Sequence, residues 1–431
     1  MDNKRGLADT YVSIPSAAIY YRVNRALASG DFNTDGRNQW PTADLTNAKK
    51  TIKAHAQLRP FAANEMQTVT NSQLEGYRQR MLTDVLSLSD ETVDVLDLCL
   101  HIWMRQLSLP GDWSTVSVDQ VLRLRGLSRQ SLKQSSRDAV VRQLEILQNL
   151  WLTVFEMDVP ETVLDKCGRK RTVFKSWRGE SRALHIDARF GPIDGRGQLQ
   201  SMIYRLKPGE ILARYIMGPG RQTALMSQKA LTFAADKYWP EKRLCRFLAY
   251  QWRCRVSHYN FIGPFKVRTI LENIQMGVDD RRPNQTKLRL ETAMQRLIDS
   301  RVIRSFQYAP AFDDTLVGKK GWRYEWLESL IEVEPPEFVQ DHYTRKESDL
   351  AQRAIANGNE QTQVNLCVLL KEARKRRGFS QSVAAGQLQI TTTWFCLIER
   401  GAKQPSRQLE QQILAWIETN LESGQDAWEK I

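Results

Sequence analysis

Apolar positions recur with a helical period in two stretches that share one order of elements. The first opens with DVLDLCLHIWMRQ, whose polar lead-in of Ser89, Asp90, Glu91 and Thr92 supplies a cap. It passes through a short extended piece at Ser114–Ser117 to the helix VDQVLRLRG. A longer helix, SSRDAVVRQLEILQNLW, follows, and then strand-like LTVFEMDV. The second stretch opens with EKRLCRFLAYQWRCRV, passes NFIGPF, and continues through KVRTILENIQMG and TKLRLETAMQRLIDSRV to strand-like IRSFQYAP. Identity between the copies is low, so the repeat lies in the pattern.

Helix, short strand, helix, long helix and hairpin is the order of a winged helix, predicted over 87–218 and again over 219–335. In the first long helix Val140, Val141, Leu144, Leu147 and Leu150 form the inner stripe, which leaves Arg137 and Arg142 outside. In the second, Leu290, Ala293, Met294, Leu297 and Ile298 point inward and Lys287, Arg289 and Arg296 outward. Such a face suits a DNA major groove, about 12 Å wide, where Arg pairs with guanine edges or phosphate. The hairpins that follow are basic. The first carries Lys166, Arg169, Lys170, Arg171, Lys175, Arg178 and Arg182 against Glu180; the second is expected to turn near Asp313–Gly321 beside Lys319, Lys320 and Arg323 and to return as WRYEWLESLIEVEP. Solvated loops carry such charges too. Equivalent placement in both copies favours wings over the phosphate backbone.

The flanks differ in texture. Residues 1–86 mix Ser, Asn, Asp and Gly with basic residues, and predict a partly irregular arm; residues 336–364 predict a polar linker containing at most one helix. Residues 365–431 form a third, all-α module. The expected fold class is therefore mainly α with β-hairpin wings, α+β overall: two winged-helix-like repeats and a C-terminal helix-turn-helix domain.

Composition then narrows the function. The 431 residues suit about three domains, and 62 Lys+Arg against 49 Asp+Glu leaves +13, an excess that fits a polyanionic partner. Six scattered cysteines without a C-x-x-C pair and five dispersed histidines point to neither a disulfide framework nor a zinc module, so no metal or cofactor is expected. No apolar run is long enough to span a membrane, and the polar start predicts a cytoplasmic, nucleoid- or plasmid-associated protein. Catalytic motifs also fail. Gly218-Pro-Gly-Arg-Gln-Thr lacks the lysine and spacing of a phosphate-binding loop, no His-x-His pair occurs, and His342-Tyr-Thr-Arg345 has no tyrosine downstream. Asp279-Asp280 and Asp313-Asp314 are expected as turn residues, and Tyr250 and Trp252 as core.

The sharpest motif lies in 366–417. A basic helix with Arg374, Lys375, Arg376 and Arg377 ends at Gly378; Ser380 and Gln381 open a second helix containing Ala384-Ala385; Thr391 opens a third, which closes on Ile398-Glu399-Arg400-Gly401. This resembles the Cro/C1-type helix-turn-helix family. The resemblance implies that Ser380 and Thr391 cap their helices, that Gln381 aims its amide at phosphate, and that Thr392, Thr393 and Cys396 face base edges. Arg376 and Arg377 are expected on the backbone and Glu399 in an internal ion pair. Two positions depart from the family: Gln389 stands where a glycine is common, and Gly386 lies inside a helix. A reading helix of Thr392, Thr393, Trp394, Cys396 and Leu397 is poor for bidentate base contacts. Exposed Trp394 and Leu397 would equally suit a protein partner.

From 87 to 335 the order of parts resembles the tandem winged-helix initiator proteins of bacterial plasmids. That resemblance implies a non-catalytic protein that binds repeated double-stranded origin sites, with the first winged helix dimerising and the second reading DNA, and with host replication proteins as partners. A repressor acting through the C-terminal module, and a DNA-associated adaptor of a mobile element, are the alternatives.

Overall fold

The computed structural model describes residues 10–34, 40–47, 52–62, 65, 70–106, 111–164, 170–193, 201–217, 222–256, 263–343, 366, 369–371, 373–374, 377–399 and 405–422. Two compact units emerge, Met1–Asp341 and His342–Ile431. The architecture is mixed α+β, helices with small antiparallel sheets. Among the described residues no helix is long and apolar enough to cross a membrane.

The first unit begins with β1 (Tyr11–Pro15), α1 (Ala18–Ser29), β2 (Thr42–Asp44), β3 (Ile52–Leu58) and α2 (Asn71–Val85). Five elements thus lie within the stretch expected as a partly irregular arm. β1 pairs with a strand more than two hundred residues downstream, Tyr11 opposite Ser227, and β3 pairs from Ile52 to Leu58 with residues 150–157. Tyr20, Val23 and Leu27 of α1 are buried. β2 pairs with nearby β3, Thr42 opposite Gln57, whereas β1 and β3 find their other partners far away in sequence.

The first winged helix comprises α3 (Asp90–Gln106), β4 (Ser114–Ser117), α4 (Val118–Leu124), α5 (Gln134–Gln148), β5 (Leu150–Leu164), β6 (Lys170–Arg182), β7 (Leu184–Phe190) and β8 (Ile203–Pro208). Its helices and β4 fall where the apolar period places them, but the wing does not. β4 pairs with β8 and β8 with β7, so β7–β8 is the wing. The long β5–β6 hairpin, read as that wing, is an excursion that joins β2 and β3 in a separate sheet of order β2-β3-β5-β6. Its attachment is visible at Trp151, whose ring lies between the guanidinium groups of Arg59 (4.6 Å) and Arg182 (4.9 Å). Arg182 also donates to the carbonyls of Gln148 and Pro60, at 3.0 Å each. It is therefore structural. β8 leads through Gly209 into α6 (Glu210–Met217); a Cβ on Gly209 would lie 1.7 Å from the Arg182 carbonyl oxygen, so the close approach requires glycine.

β9 (Thr223–Ser227) and α7 (Lys229–Thr232) lead to the second copy: α8 (Trp239–Val256), β10 (Phe265–Lys266), α9 (Val267–Ile274), α10 (Pro283–Asp299), β11 (Ser305–Tyr308), α11 (Trp322–Glu328) and β12 (Leu330–Glu334). Its sheet order, β10-β12-β11, reproduces β4-β8-β7 of the first copy. The inner stripes match as well. Val140, Leu144, Leu147 and Leu150 are buried, as are Leu290, Ala293, Met294 and Leu297. Trp252 is core, and Tyr250 stacks on Tyr21 with centroids 4.5 Å apart.

The first helices of the two copies, α3 and α8, meet through charge. Asp94 accepts from Lys242 Nζ at 2.6 Å and pairs with Arg246 at 2.5 Å; Asp97 accepts from Arg246 at 2.9 Å and Asp90 from Arg243 at 2.9 Å. The Tyr20 hydroxyl donates to Asp97 at 2.7 Å. Lys242 and Asp94 are fully buried. Burial pulls the Lys242 ammonium down despite Asp94, and pushes the Asp90 and Asp97 carboxyls up despite Arg246.

His101 on α3 carries a pH dependence. Burial, and then Arg105, push its imidazole from 6.5 down to about 4. Its Nδ1 accepts from the Ser13 backbone N–H at 3.0 Å, which a protonated ring cannot do. The unfolded ring takes up its proton first, so this contribution is complete above pH 6.5 and is lost as pH falls through about 4. Denaturant unfolding between pH 7 and 4 should show a loss of about 3 kcal/mol that His101→Gln lacks. An unchanged profile in the variant would remove His101 from the account.

The second unit contains helical residues at 366, 369–371 and 373–374, then α12 (Gln381–Gln387), α13 (Thr392–Glu399) and α14 (Arg407–Glu422). Leu370, Ala373, Ala384, Ala385, Phe395, Ile398 and Ile413 form its core. Gly378 adopts φ +66°, as a helix end requires, and Gln389 takes φ +54°, the left-handed conformation that glycine would adopt without strain.

Candidate nucleic-acid interface

The outer face of α10 is the most developed surface of the first unit. Pro283 at the first turn fixes the helix start, and Asp279 Oδ1 accepts from the backbone N–H groups of Arg281 (2.8 Å) and Arg282 (3.1 Å), which makes Asp279 the turn residue expected. Both arginines are exposed beside the helix start. With the core stripe facing inward, Gln285, Leu288, Arg289, Thr292 and Arg296 line a groove of about 290 Å³ against Pro240 and Glu241 in the first turn of α8 and Lys237 just before it. The Arg289 guanidinium lies 4.8 Å over Trp239, and that of Arg296 lies 4.6 Å over Tyr238 and pairs with buried Glu241. Stacking holds Arg289 extended while leaving its N–H edge available.

Lys287, expected on this face, is instead buried. Its ammonium bonds Glu291 and Asp314, both at 2.8 Å. Burial lowers its proton affinity, but the two carboxylates outweigh burial and the net shift is upward. The reason is the segment between β11 and β12. The expected simple hairpin is replaced by a turn of 3-10 helix at Asp314–Leu316 and by α11, and only Leu330–Glu334 of the returning chain is strand. Trp326 Nε1 donates to the Tyr308 hydroxyl (3.0 Å), which donates to Glu291 (2.9 Å), so one polar chain ties α11 and β11 to α10. Asp280 pairs with Arg323. These ties hold exposed Lys319 and Lys320 on the segment anchored to the first turns of α10.

The first copy presents a different face. Arg137 is committed to Asp119 through a bidentate pair (2.7 and 3.1 Å), and that hydrogen bonding, ahead of burial, keeps the Asp119 carboxyl below its usual range. Arg142 is half exposed, donates to Ser87 Oγ at 2.9 Å and lies 3.8 Å from Asp84, at the end of α2. Glu145 attracts Arg189 of the wing at 3.5 Å. Lys170 and Arg171 open β6, a strand of the sheet β2-β3-β5-β6 and not of the wing's sheet; Arg169 lies outside the described residues, as does Arg376.

In the second unit, Ser380 Oγ accepts from Val383 N–H (3.3 Å) and Thr391 Oγ1 from Trp394 N–H (3.2 Å), so both residues cap as expected. Glu399 pairs with Arg374 at 2.7 Å. Gln381 and Cys396 depart from expectation: Gln381 donates to Glu399 at 2.5 Å and accepts from Cys396 Sγ at 2.9 Å. A nearly buried carboxylate needs donors, and the glutamine expected on phosphate supplies one. Thr392, Thr393 and Arg377 are exposed, whereas Trp394 and Leu397 are half-buried.

No family model matches the chain, and no curated protein does. Among solved structures the chain is similar to the crystal structure of SeMet derivatives of domain 2 and domain 3 of RctB, with 10% identity, 65% of this chain and 86% of that chain covered, and a TM-score of 0.32. It is similar also to the crystal structure of RctB domains 2-3 (RctB-155-483), with 10% identity, 65% and 83% covered, and a TM-score of 0.35.

Sequence periodicity located Arg289 and Arg296 but missed Gln285, Leu288 and Thr292 on the same face, and missed Arg281 and Arg282. The signal was present: 285, 288, 292 and 296 follow one helical row. Selecting by charge alone hid it.

Proposed function

We propose that the chain is a non-catalytic, sequence-specific double-stranded DNA-binding protein of the replication-initiator kind, reading repeated sites with α10 of its second winged helix. The observation that carries the reading is the α10 groove, where polar, apolar and aromatic-stacked arginine side chains share one outward face beside Arg281, Arg282, Lys319 and Lys320. Mixed chemistry of this kind matches base edges, and the surrounding cations match phosphate. The first winged helix, with Arg137 and Arg142 engaged internally, serves dimerisation, and host replication proteins assemble on the bound array. Thr392, Thr393 and Arg377 give the C-terminal module, similar to Cro/C1-type domains, a second DNA contact. Footprinting of the whole chain on DNA flanking its gene, at near-physiological salt with competitor, should protect several evenly spaced direct repeats. A single palindrome would instead identify a repressor, and no protection would overturn the DNA-binding reading.

A further inference from the structure

Leu288 sits on the outer row of α10 with 65% of its surface exposed, one turn from Gln285 and one from Thr292. It has no place in the core, which Leu290, Ala293, Met294 and Leu297 fill. Isolated exposed leucines are ordinary on protein surfaces. This one lies in a concave groove whose cations, Lys237, Arg289 and Arg296, outnumber its one carboxylate, Glu241, which is buried and paired with Arg296. An apolar partner for it must therefore arrive with negative charge around it. The DNA major groove offers one apolar group on its base edges, the C5 methyl of a pyrimidine, set among acceptors and flanked by phosphates.

We propose that Leu288 reads a pyrimidine C5 methyl in the major groove, with Gln285 and Thr292 contacting the adjacent bases. This rests on the assignment of α10 as the reading helix. Arg289, one residue on and braced by Trp239, places its N–H edge beside the same base step. Thymine carries that methyl in ordinary DNA, and 5-methylcytosine carries it in modified DNA.

The test uses the whole chain and a duplex containing one footprinted site. Each thymine is replaced in turn by deoxyuridine, which removes only the methyl, and in a parallel series each cytosine is replaced by 5-methylcytosine. Affinity for wild type should fall roughly three- to ten-fold at one or two deoxyuridine positions, the scale of burying one methyl group. Leu288→Ala should bind more weakly and be indifferent to those same replacements, while Leu288→Met should keep part of the discrimination. Wild-type gain on 5-methylcytosine that disappears in Leu288→Ala would support the inference and move the methyl to cytosine. A deoxyuridine penalty that persists unchanged in Leu288→Ala, or the absence of any methyl dependence in wild type, would overturn it. Binding to the site with no effect of any α10 substitution would overturn the assignment of α10 itself, and failure to bind any duplex would overturn the DNA-binding reading beneath it.

Discussion

Replacing Asp94 with Ala should cost about 3–5 kcal/mol of unfolding free energy, the range for removing one partner of a buried ion pair. Asp94 is fully buried and accepts from Lys242 at 2.6 Å and Arg246 at 2.5 Å, with Arg125 3.6 Å away. Without it the Lys242 ammonium keeps the carbonyl oxygens of Ala230 (3.2 Å) and Leu231 (3.4 Å) but no carboxylate, in a site closed to water. Lys242→Met should cost less, because Arg246 still neutralises Asp94 and the methionine fills the same volume. The double variant should cost less than the sum of the two, since each change removes the partner the other strands. Urea unfolding of the whole chain measures all three. A loss below about 1 kcal/mol for Asp94→Ala would mean that water, or the neighbouring carboxylate of Asp90 or Asp97, takes over the Lys242 ammonium.

The network has a consequence for the paired winged helices. α3 and α8 are the first helices of the two copies, and Asp90, Asp94 and Asp97 face Lys242, Arg243 and Arg246 across their contact. Apolar residues would hold the helices together in several registers, whereas three carboxylates spaced along one helix are satisfied by one alignment. Charge pairing therefore fixes how the two copies are set against each other.

Helical repeats were legible in the sequence because α5 and α10 each bury a stripe at the helical period, while α3 and α8, buried on nearly all sides over much of their length, stand out as long apolar runs behind a polar start. β4 was legible too, bounded by the helices on either side. The true first wing was not. β7–β8 follows a longer and more basic hairpin, and only its pairing with β4, far earlier in the chain, distinguishes the two. The arm's strands escaped for separate reasons: β1 takes its partner more than two hundred residues downstream, β2 is only three residues long, and the alternation of Ile52, Ala54, Ala56 and Leu58 with Lys53, His55 and Gln57 in β3 is a strand period set among polar neighbours that outweigh it. Among the candidate site residues, charge identified cations but not their commitments: Arg137, Lys287 and Arg182 resemble Arg289 in sequence and differ in having internal acceptors. Asp119, Glu291 and Asp314 decide the matter, and nothing in their spacing announces it. In the C-terminal module the motif gave the caps and an internal ion pair for Glu399, whose partner is Arg374, while Gln381 is drawn inward by that carboxylate and Cys396 by Gln381.

Arg289→Ala should weaken binding to the footprinted site by about 1–3 kcal/mol, tenfold or more, and relax preference at one base pair while leaving non-specific binding nearly intact. Arg289 is the cleaner probe of the two outward arginines. Removing Arg296 would strand buried Glu241, and weaker affinity would then mix with lower stability. Joint replacement of Lys319 and Lys320 with Ala should act differently. Both are exposed on the segment held to α10 by Asp314 and Asp280, so they act on phosphate, and their removal should weaken specific and non-specific binding equally. Removing one lysine–phosphate pairing should reduce the slope of log affinity against log salt by about 0.9, and removing both by about 1.8. Titrations at several salt concentrations, on the site and on a scrambled duplex, separate these two signatures. If Arg289→Ala lowers both affinities alike, Arg289 contacts phosphate and base reading belongs to other residues of the row. If the lysine pair changes specificity without changing the salt slope, the segment between β11 and β12 enters the groove rather than lying along its backbone.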